Sequence, residues 1–287
     1  MYAGFISPKR VVKKTGIHQR LDVAAYKMIE HYLPDETFPS IEEILEFEGY
    51  NGPDGLNSKI GLRPKGSEPD AKDDNNPSHL YDPLTDTGEV PMHIQSHFDG
   101  LVQCLVSGDR VRASFEAAWL AHYVGDGLTP AHHFPLETKI AEAAAKAKRD
   151  LNEGHFSHFA GQLVKQWEIW GFKGHMSTHQ NFELGIAFAL LVFPIKAHFD
   201  DHLLGRARSL GPVEFFKTEA RDVAELRLYE NFYKVGWTAD LAQTIKKILA
   251  PQVARTIGII WLLALLEAGQ QLAAPSAEAV AATETAE

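Results

Sequence analysis

The chain has 287 residues, 45% of them hydrophobic, so it is long enough for a substantial buried core of the ordinary globular kind. Its formal net charge is -10, and it has no basic stripe interleaved with aromatic residues, which argues against a role in binding duplex nucleic acid. Its single cysteine, Cys104, excludes an internal disulfide framework and a thiolate zinc site, so a metal would need imidazole and carboxylate ligands.

Apolar residues recur with the helical period along the whole chain, and sustained polar–apolar alternation typical of strands is absent. We therefore predict an all-α protein, with one multi-helix domain over residues 1–272 and a low-complexity tail over 273–287. The predicted helices cover 18–33, 40–47, 92–106, 109–125, 136–151, 155–170, 179–204, 213–233 and 238–272.

The N-terminal segment, MYAGFISPKRVVKK, lacks the apolar stretch and cleavage site of a secretory signal. We expect a cytoplasmic protein unless a leader has been removed. Ser40 and Glu43 form a capping-box pattern, and Asp109 after Gly108 is placed to cap the next long helix. Residues 49–91 are rich in proline, glycine and acidic residues and are predicted to form a long loop.

The most apolar run, IGIIWLLALL, is about half the length of a membrane span, which needs roughly 20 residues. We predict that it belongs to a buried helix, and we predict no transmembrane segment.

A dense group of metal-binding residue types lies in the segment AHYVGDGLTPAHH. His122 and Asp126 are four residues apart, so their side chains leave one face of a helix one turn apart and can hold one cation. Two glycines and Pro130 then end the helix, and the returning chain brings His132 and His133 near the same end. The segment therefore predicts two adjacent sets of metal ligands.

Other parts of the chain offer matching ligands. The segment HQNFE repeats the spacing with His179 and Glu183, the loop supplies Asp54 in NGPDG and His79 in SHLYDP, and His18 opens the first helix. The predicted ligands are five imidazoles and three carboxylates: His18, Asp54, His79, His122, Asp126, His132, His179 and Glu183. Such a set, without sulfur, suits zinc first, with manganese or iron less favoured.

Two further segments, HIQSH and HFDDH, place histidines four residues apart at His93 and His97 and at His198 and His202. Neither has a second matching element, so we interpret them as core or surface histidines.

The order and spacing of these motifs resemble those of the bacterial zinc-dependent phospholipases C and the related single-strand-specific zinc nucleases. HYVGDGLTPAHH matches the family's His-x-x-x-Asp-x-x-x-Pro-x-His, HQNFE its His-x-x-x-Glu/Asp, and SHLYDP its loop histidine. EFEGYNGPD is similar to the family's segment that ends in a ligand aspartate. The resemblance covers roughly His18 to Glu183, and the combined pattern is more specific than any one motif.

The resemblance implies a site of two or three zinc ions on the phospholipase C fold. One zinc would take Asp54, His79, His122 and one oxygen of Asp126. A second would take His132, His179 and Glu183, and a third would share Asp126 and use His18. The family spacing selects His132 over its neighbour His133.

This chain departs from the family pattern in two places. Well-known members hold the third zinc partly through an N-terminal tryptophan, and no tryptophan precedes His18 here. The interval from Asp54 to His79 is also longer than in the phospholipases, and it contains rival acids: Glu68, Asp70, Asp73 and Asp74.

The resemblance further implies hydrolysis of phosphodiester bonds by a zinc-bound hydroxide, with Asp54 orienting or deprotonating the water. The substrate would be a phospholipid, with peripheral contact to a membrane, or another phosphodiester. A nuclease or nucleotidase acting on single strands and a non-enzymatic, zinc-stabilised protein remain as alternatives.

Overall fold

The computed structural model describes residues 16–34, 37–53, 79–133, 175–190 and 193–273. Within these ranges the regular structure is helical apart from one pair of two-residue strands, which confirms the prediction of an all-α fold. The helices are α1 (Ile17–Ile29), α2 (Ile41–Ile44), α3 (Val90–Ser107), α4 (Arg110–Gly127), α5 (His175–Leu190), α6 (Asp201–Leu210), α7 (Pro212–Glu225), α8 (Leu228–Val235), α9 (Ala239–Thr244) and α10 (Ala250–Ala273).

A small antiparallel hairpin lies inside the predicted long loop. Strand β1 (Tyr81–Asp82) pairs with β2 (Thr87–Gly88), and α3 begins almost directly after β2. Single 3₁₀ turns cover Glu30–Tyr32, Leu45–Phe47, Gly49–Asn51 and Pro130–His133. The hairpin is too short to produce a recognisable alternation in the sequence, so it was not predicted.

Helix α4 is the centre of the fold. Every residue from Ala113 to Gly127 is buried, because α1, α3 and α10 pack around it. The Nε1–H of Trp261 in α10 donates to the carbonyl oxygen of Ala117 at 3.0 Å, which fixes these two helices against each other. A helix enclosed on all sides places any polar side chain that it carries in the protein interior.

The capping patterns read from the sequence are confirmed. Ser40 and Glu43 form a reciprocal capping box at the start of α2. Gly108, with a φ of 74°, ends α3 in the left-handed conformation that favours glycine, and the side chain of Asp109 then accepts from the backbone N–H of Arg112. These local signals set the position of α4.

The single helix predicted at 179–204 is wrong. Helix α5 ends at Leu190, residues 194–200 are not helical, and α6 starts at Asp201. Pro194 has no N–H to donate and its ring clashes with a preceding helical turn, so a continuous helix is disfavoured. Asp200 starts the new helix, because its side chain accepts from the backbone N–H of His202 at 2.9 Å.

The helix predicted at 213–233 is also interrupted, whereas the one predicted at 238–272 is continuous but contains a π-helical turn. Between α7 and α8 the chain turns at Arg227, which has a φ of 50°. Between α9 and α10 the residues Ile245–Leu249 are π-helical, just before Pro251. Because a proline cannot donate to the carbonyl four residues earlier, the wider π turn accommodates it within one helical stretch.

The apolar run predicted to be a buried helix lies in α10, where Ile257 to Ala264 are buried. The continuous stretch Ala239–Ala273 is long and apolar enough to cross a membrane, but 72% of its most apolar window is buried inside the protein. A buried core helix can have the same length and hydropathy, so these two properties alone do not identify a membrane span. The helices predicted at 136–151 and 155–170 and the tail after Ala273 lie outside the described residues.

Candidate metal centre

The centre is built around His122 and Asp126 on α4. The two side chains lie one helical turn apart, with His122 Nε2 at 3.2 Å from Asp126 Oδ2, and both are 0% exposed. Imidazole and carboxylate groups at this depth need partners, because water does not reach them. Further residues from three other parts of the chain supply these partners.

Helix α1 brings His18 into this group. Its ring stacks on that of His122 with centroids 3.9 Å apart and planes 10° apart, and its Nε2 lies 3.3 Å from Asp126 Oδ1. The donor atoms of His18, His122 and Asp126 all lie within 4.8 Å of one another, close enough to hold one metal ion. We call these three residues the first cluster.

His79 reaches the same carboxylate from the segment just before β1. Its Nδ1 lies 2.7 Å from Asp126 Oδ2. Its ring stacks against Tyr123 with centroids 5.5 Å apart, which fixes the direction of the imidazole. His79 can therefore act as a further ligand beside the first cluster.

The second cluster comprises His132, His179 and Glu183. The Nε2 atoms of His132 and His179 lie 3.0 Å and 3.1 Å from Glu183 Oε1. His132 Nδ1 lies 3.0 Å from the backbone carbonyl oxygen of His79, which can only accept, so this nitrogen is the donor. In this neutral tautomer His132 Nε2, which faces Glu183, carries the lone pair that can bind a metal.

Asp126 connects the two clusters. Its Oδ1 lies 3.6 Å from His132 Nε2 and 3.3 Å from His18 Nε2. One buried carboxylate thus faces donor atoms of both clusters, which is the arrangement of a shared ligand between two metal ions.

The electrostatics favour metal binding. Burial lowers the pKa of His18 and His132, so both imidazoles stay neutral near pH 7, which is the state that binds a metal. Burial disfavours the charged forms of Asp126 and Glu183, but their histidine neighbours hold the pKa of each carboxyl well below its usual range. The pKa of His122 moves the other way: despite its burial, the charges of Asp126 and Glu48 raise it well above its usual value, so an ion that binds His122 must displace its proton.

The structure brings most of the predicted ligands together. Those gathered around Asp126 and Glu183 are His18, His79, His122, His132 and His179. The predicted ligand and catalytic residue Asp54 lies outside the described residues, as do its rivals. The two clusters can hold two metal ions, and their nitrogen and oxygen donors fit zinc.

Two buried acids near the first cluster were missed from the sequence. Glu48 lies with Oε2 at 3.5 Å from His122 Nδ1, and Asp22 is also close enough to interact electrostatically with His122. The sequence contains a feature that points to each of these two acids. Asp22 follows His18 at the same four-residue spacing as the other pairs, and Glu48 lies inside the segment EFEGYNGPD.

The remaining paired histidines are core and surface residues, as the sequence indicated. His97 Nδ1 lies 2.6 Å from Glu116 Oε2 in the core, and His93 stacks on Tyr123 with centroids 4.5 Å apart. His198 and His202 are exposed.

No known protein family model matches the chain, and no curated protein is detectably similar to it. The resemblance to the zinc phospholipases C and nucleases therefore rests on the motifs and their spacing.

Arg20 connects α1 to the end of α5. Its guanidinium donates to the carbonyl oxygen of Leu190 and, through Nη2, to that of Phe193 at 2.5 Å. Because α1 carries His18 and α5 carries the acid of the second cluster, this contact holds ligand-bearing helices together. Arg20→Gln is expected to weaken zinc binding at the second cluster by roughly tenfold or more.

Competition against a chromogenic zinc chelator will measure this change, because it resolves the tighter and the weaker ion. Arg208→Gln, which changes an exposed arginine on α6, is the control and should bind zinc as the unmodified protein does. Equal weakening of both ions by Arg20→Gln would show that the contact supports the whole fold and not the second cluster.

His133 has a structural role beside the centre. Its Nε2 donates to the backbone carbonyl of Gly127 at 2.8 Å, so that nitrogen closes the end of α4 and is not offered to a metal. Burial lowers the pKa of His133 to about 4, from an ordinary value of 6.5. The neutral side chain therefore contributes stability above pH 6.5, and this contribution is lost as the pH falls toward 4.

In the metal-free protein this loss should amount to at most about 3 kcal/mol, the free-energy equivalent of the shift. Urea unfolding between pH 7.5 and 4.5 will measure it. The free energy of unfolding of His133→Gln should decline less over this range than that of the unmodified protein. If the free energy of unfolding falls equally with pH in the two proteins, the prediction is wrong.

Proposed function

We propose that the protein is a zinc-dependent phosphodiester hydrolase that acts on phospholipids in the manner of a phospholipase C. The observation that carries this proposal is the position of Asp126, whose carboxylate faces the donor atoms of two buried clusters. A shared carboxylate between two sites of histidine and carboxylate ligands is typical of centres that hydrolyse phosphate esters.

Zinc ions in such a centre lower the pKa of a bound water and neutralise negative charge on a phosphodiester. The role of the protein is to hold the ligands in fixed positions. Asp126 sets the separation of the two clusters, and the stacking of His18 on His122 fixes the direction of both rings. His79 holds the carboxylate from the loop side. The assignment of Asp54 as the residue that orients water stays a prediction, as does a third zinc at His18.

The charge of the chain supports a lipid substrate over a nucleic acid. A net charge of -10 repels a polyanion at long range, whereas a zwitterionic lipid head group carries no net charge. Such a substrate would involve transient contact with a membrane surface.

Metal analysis and substrate assays test the proposal together. The purified protein should contain zinc and should hydrolyse phosphatidylcholine in vesicles and the general substrate bis-p-nitrophenyl phosphate. Cleavage of single-stranded DNA or RNA with no action on lipid would instead support the nuclease. If the zinc-loaded protein hydrolyses none of these substrates, and chelation unfolds it, the metal is structural and the proposal is wrong.

A further inference from the structure

Two buried carboxylates, Asp22 on α1 and Glu48 after the Leu45–Phe47 turn, lie beside the first cluster. Asp22 is 0% exposed and Glu48 is 3% exposed. Glu48 Oε2 accepts from the backbone N–H of Gly49 at 3.2 Å. Among the described residues, both oxygens of Asp22 and the Oε1 atom of Glu48 have no hydrogen-bond partner.

The two carboxylates are close enough to affect each other. Burial, and then the charge of Glu48, raise the pKa of Asp22 well above its usual value. Ionised carboxylates in a site without water are very unfavourable unless a positive charge or a donor compensates them. Within the described part of the chain, three oxygen atoms of these two acids thus lack the partner that buried carboxylates need.

Glu48 and Asp126 lie near different nitrogens of the His122 ring. His122 Nε2 lies 3.2 Å from Asp126, whereas Nδ1 lies 3.5 Å from Glu48 Oε2. An ion bound between His18, His122 Nε2 and Asp126 thus lies on the side of the His122 ring away from Glu48.

We propose that Asp22 and Glu48 hold a divalent cation of their own, next to the first cluster and separate from the ions of the two clusters. Their unpartnered oxygens are ligands that zinc, manganese and other divalent ions accept, and one such ion balances both negative charges. This site depends on the contacts of α1 with α4, and it stands whether or not the protein hydrolyses phosphodiesters.

Counting bound zinc in isosteric variants tests this site. Asp22→Asn and Glu48→Gln keep the size of each side chain but remove its charge, so each variant should bind one zinc ion fewer than the unmodified protein, or bind that ion at least about tenfold more weakly. Glu116→Gln is the matched control, because Glu116 is also buried but is paired with His97 and Arg112. It should retain the full zinc count.

The stability of the metal-free protein gives a second measurement. Without metal, Asp22→Asn should be as stable as the unmodified protein or more so, because an uncompensated buried charge is gone, and zinc should stabilise it less. An unchanged zinc count and affinity in Asp22→Asn would mean that the two acids share a proton, and the proposed site would be wrong.

Crystals of the unmodified protein soaked in zinc provide a test that needs no variant. Anomalous scattering at the zinc edge should show a peak between the two carboxylates. Occupied clusters with no peak at this position would overturn the inference, while the proposed hydrolase activity would be unaffected.

Discussion

Asp126→Asn is expected to reduce phosphodiester hydrolysis by at least about a hundredfold. Mutation of a residue that only hydrogen-bonds to a metal ligand already lowers metal affinity or activity by up to about a hundredfold, and Asp126 is proposed to bind the metal itself. Oδ1 of Asp126 faces His18 and His132, and Oδ2 faces His79 and His122, so an amide, which has one oxygen, can serve only one of these two sides. Its NH₂ group would also point at an imidazole nitrogen that must bind metal. The same variant should lose zinc from the first cluster, whose only carboxylate is Asp126.

Activity on bis-p-nitrophenyl phosphate and zinc content, measured on the same preparation, will check this. Asp99→Asn on α3 is the control, because Asp99 is an exposed helical aspartate whose carboxylate accepts from Gln95. It should keep full activity and full zinc content. Near-normal hydrolysis by Asp126→Asn would refute Asp126 as the shared ligand.

Local signals were sufficient to predict where α2 and α4 begin, and α4 carries His122 and Asp126. The capping residues Ser40 and Asp109 and the glycine at 108 act within one turn of the chain, so their effect can be read directly from the sequence. The breaks at Pro194 and Arg227 were missed because the apolar periodicity continues through them. A periodic pattern indicates which side of a segment is buried, but not whether the segment stays straight.

The ligands were predictable for a related reason. Pairs such as His122 and Asp126 or His179 and Glu183 are defined by helical spacing alone. Glu48 was not predicted because it reaches His122 only through packing of a 3₁₀ turn against α4, across 74 positions of sequence. Contacts of this kind depend on tertiary structure, which no local spacing encodes.

Removal of the metal is expected to have the largest effect on stability. Each bound ion adds about 4 kcal/mol when its free concentration is a thousandfold above its dissociation constant. Two ions would then raise the melting temperature by roughly 15 °C or more in a protein of this size. Without them, the buried carboxylates of Asp126 and Glu183 depend on histidines alone, so the core around α4 should be the region that weakens.

Calorimetry before and after treatment with a chelator will measure this change. Added zinc should restore the original melting temperature, whereas magnesium should not, because it prefers oxygen ligands and both clusters are rich in imidazole. Asp126→Asn should respond less to chelation, since one of its clusters is already lost. A melting temperature that chelation leaves unchanged, in protein shown to have contained zinc, would mean that the histidines and carboxylates satisfy one another without an ion.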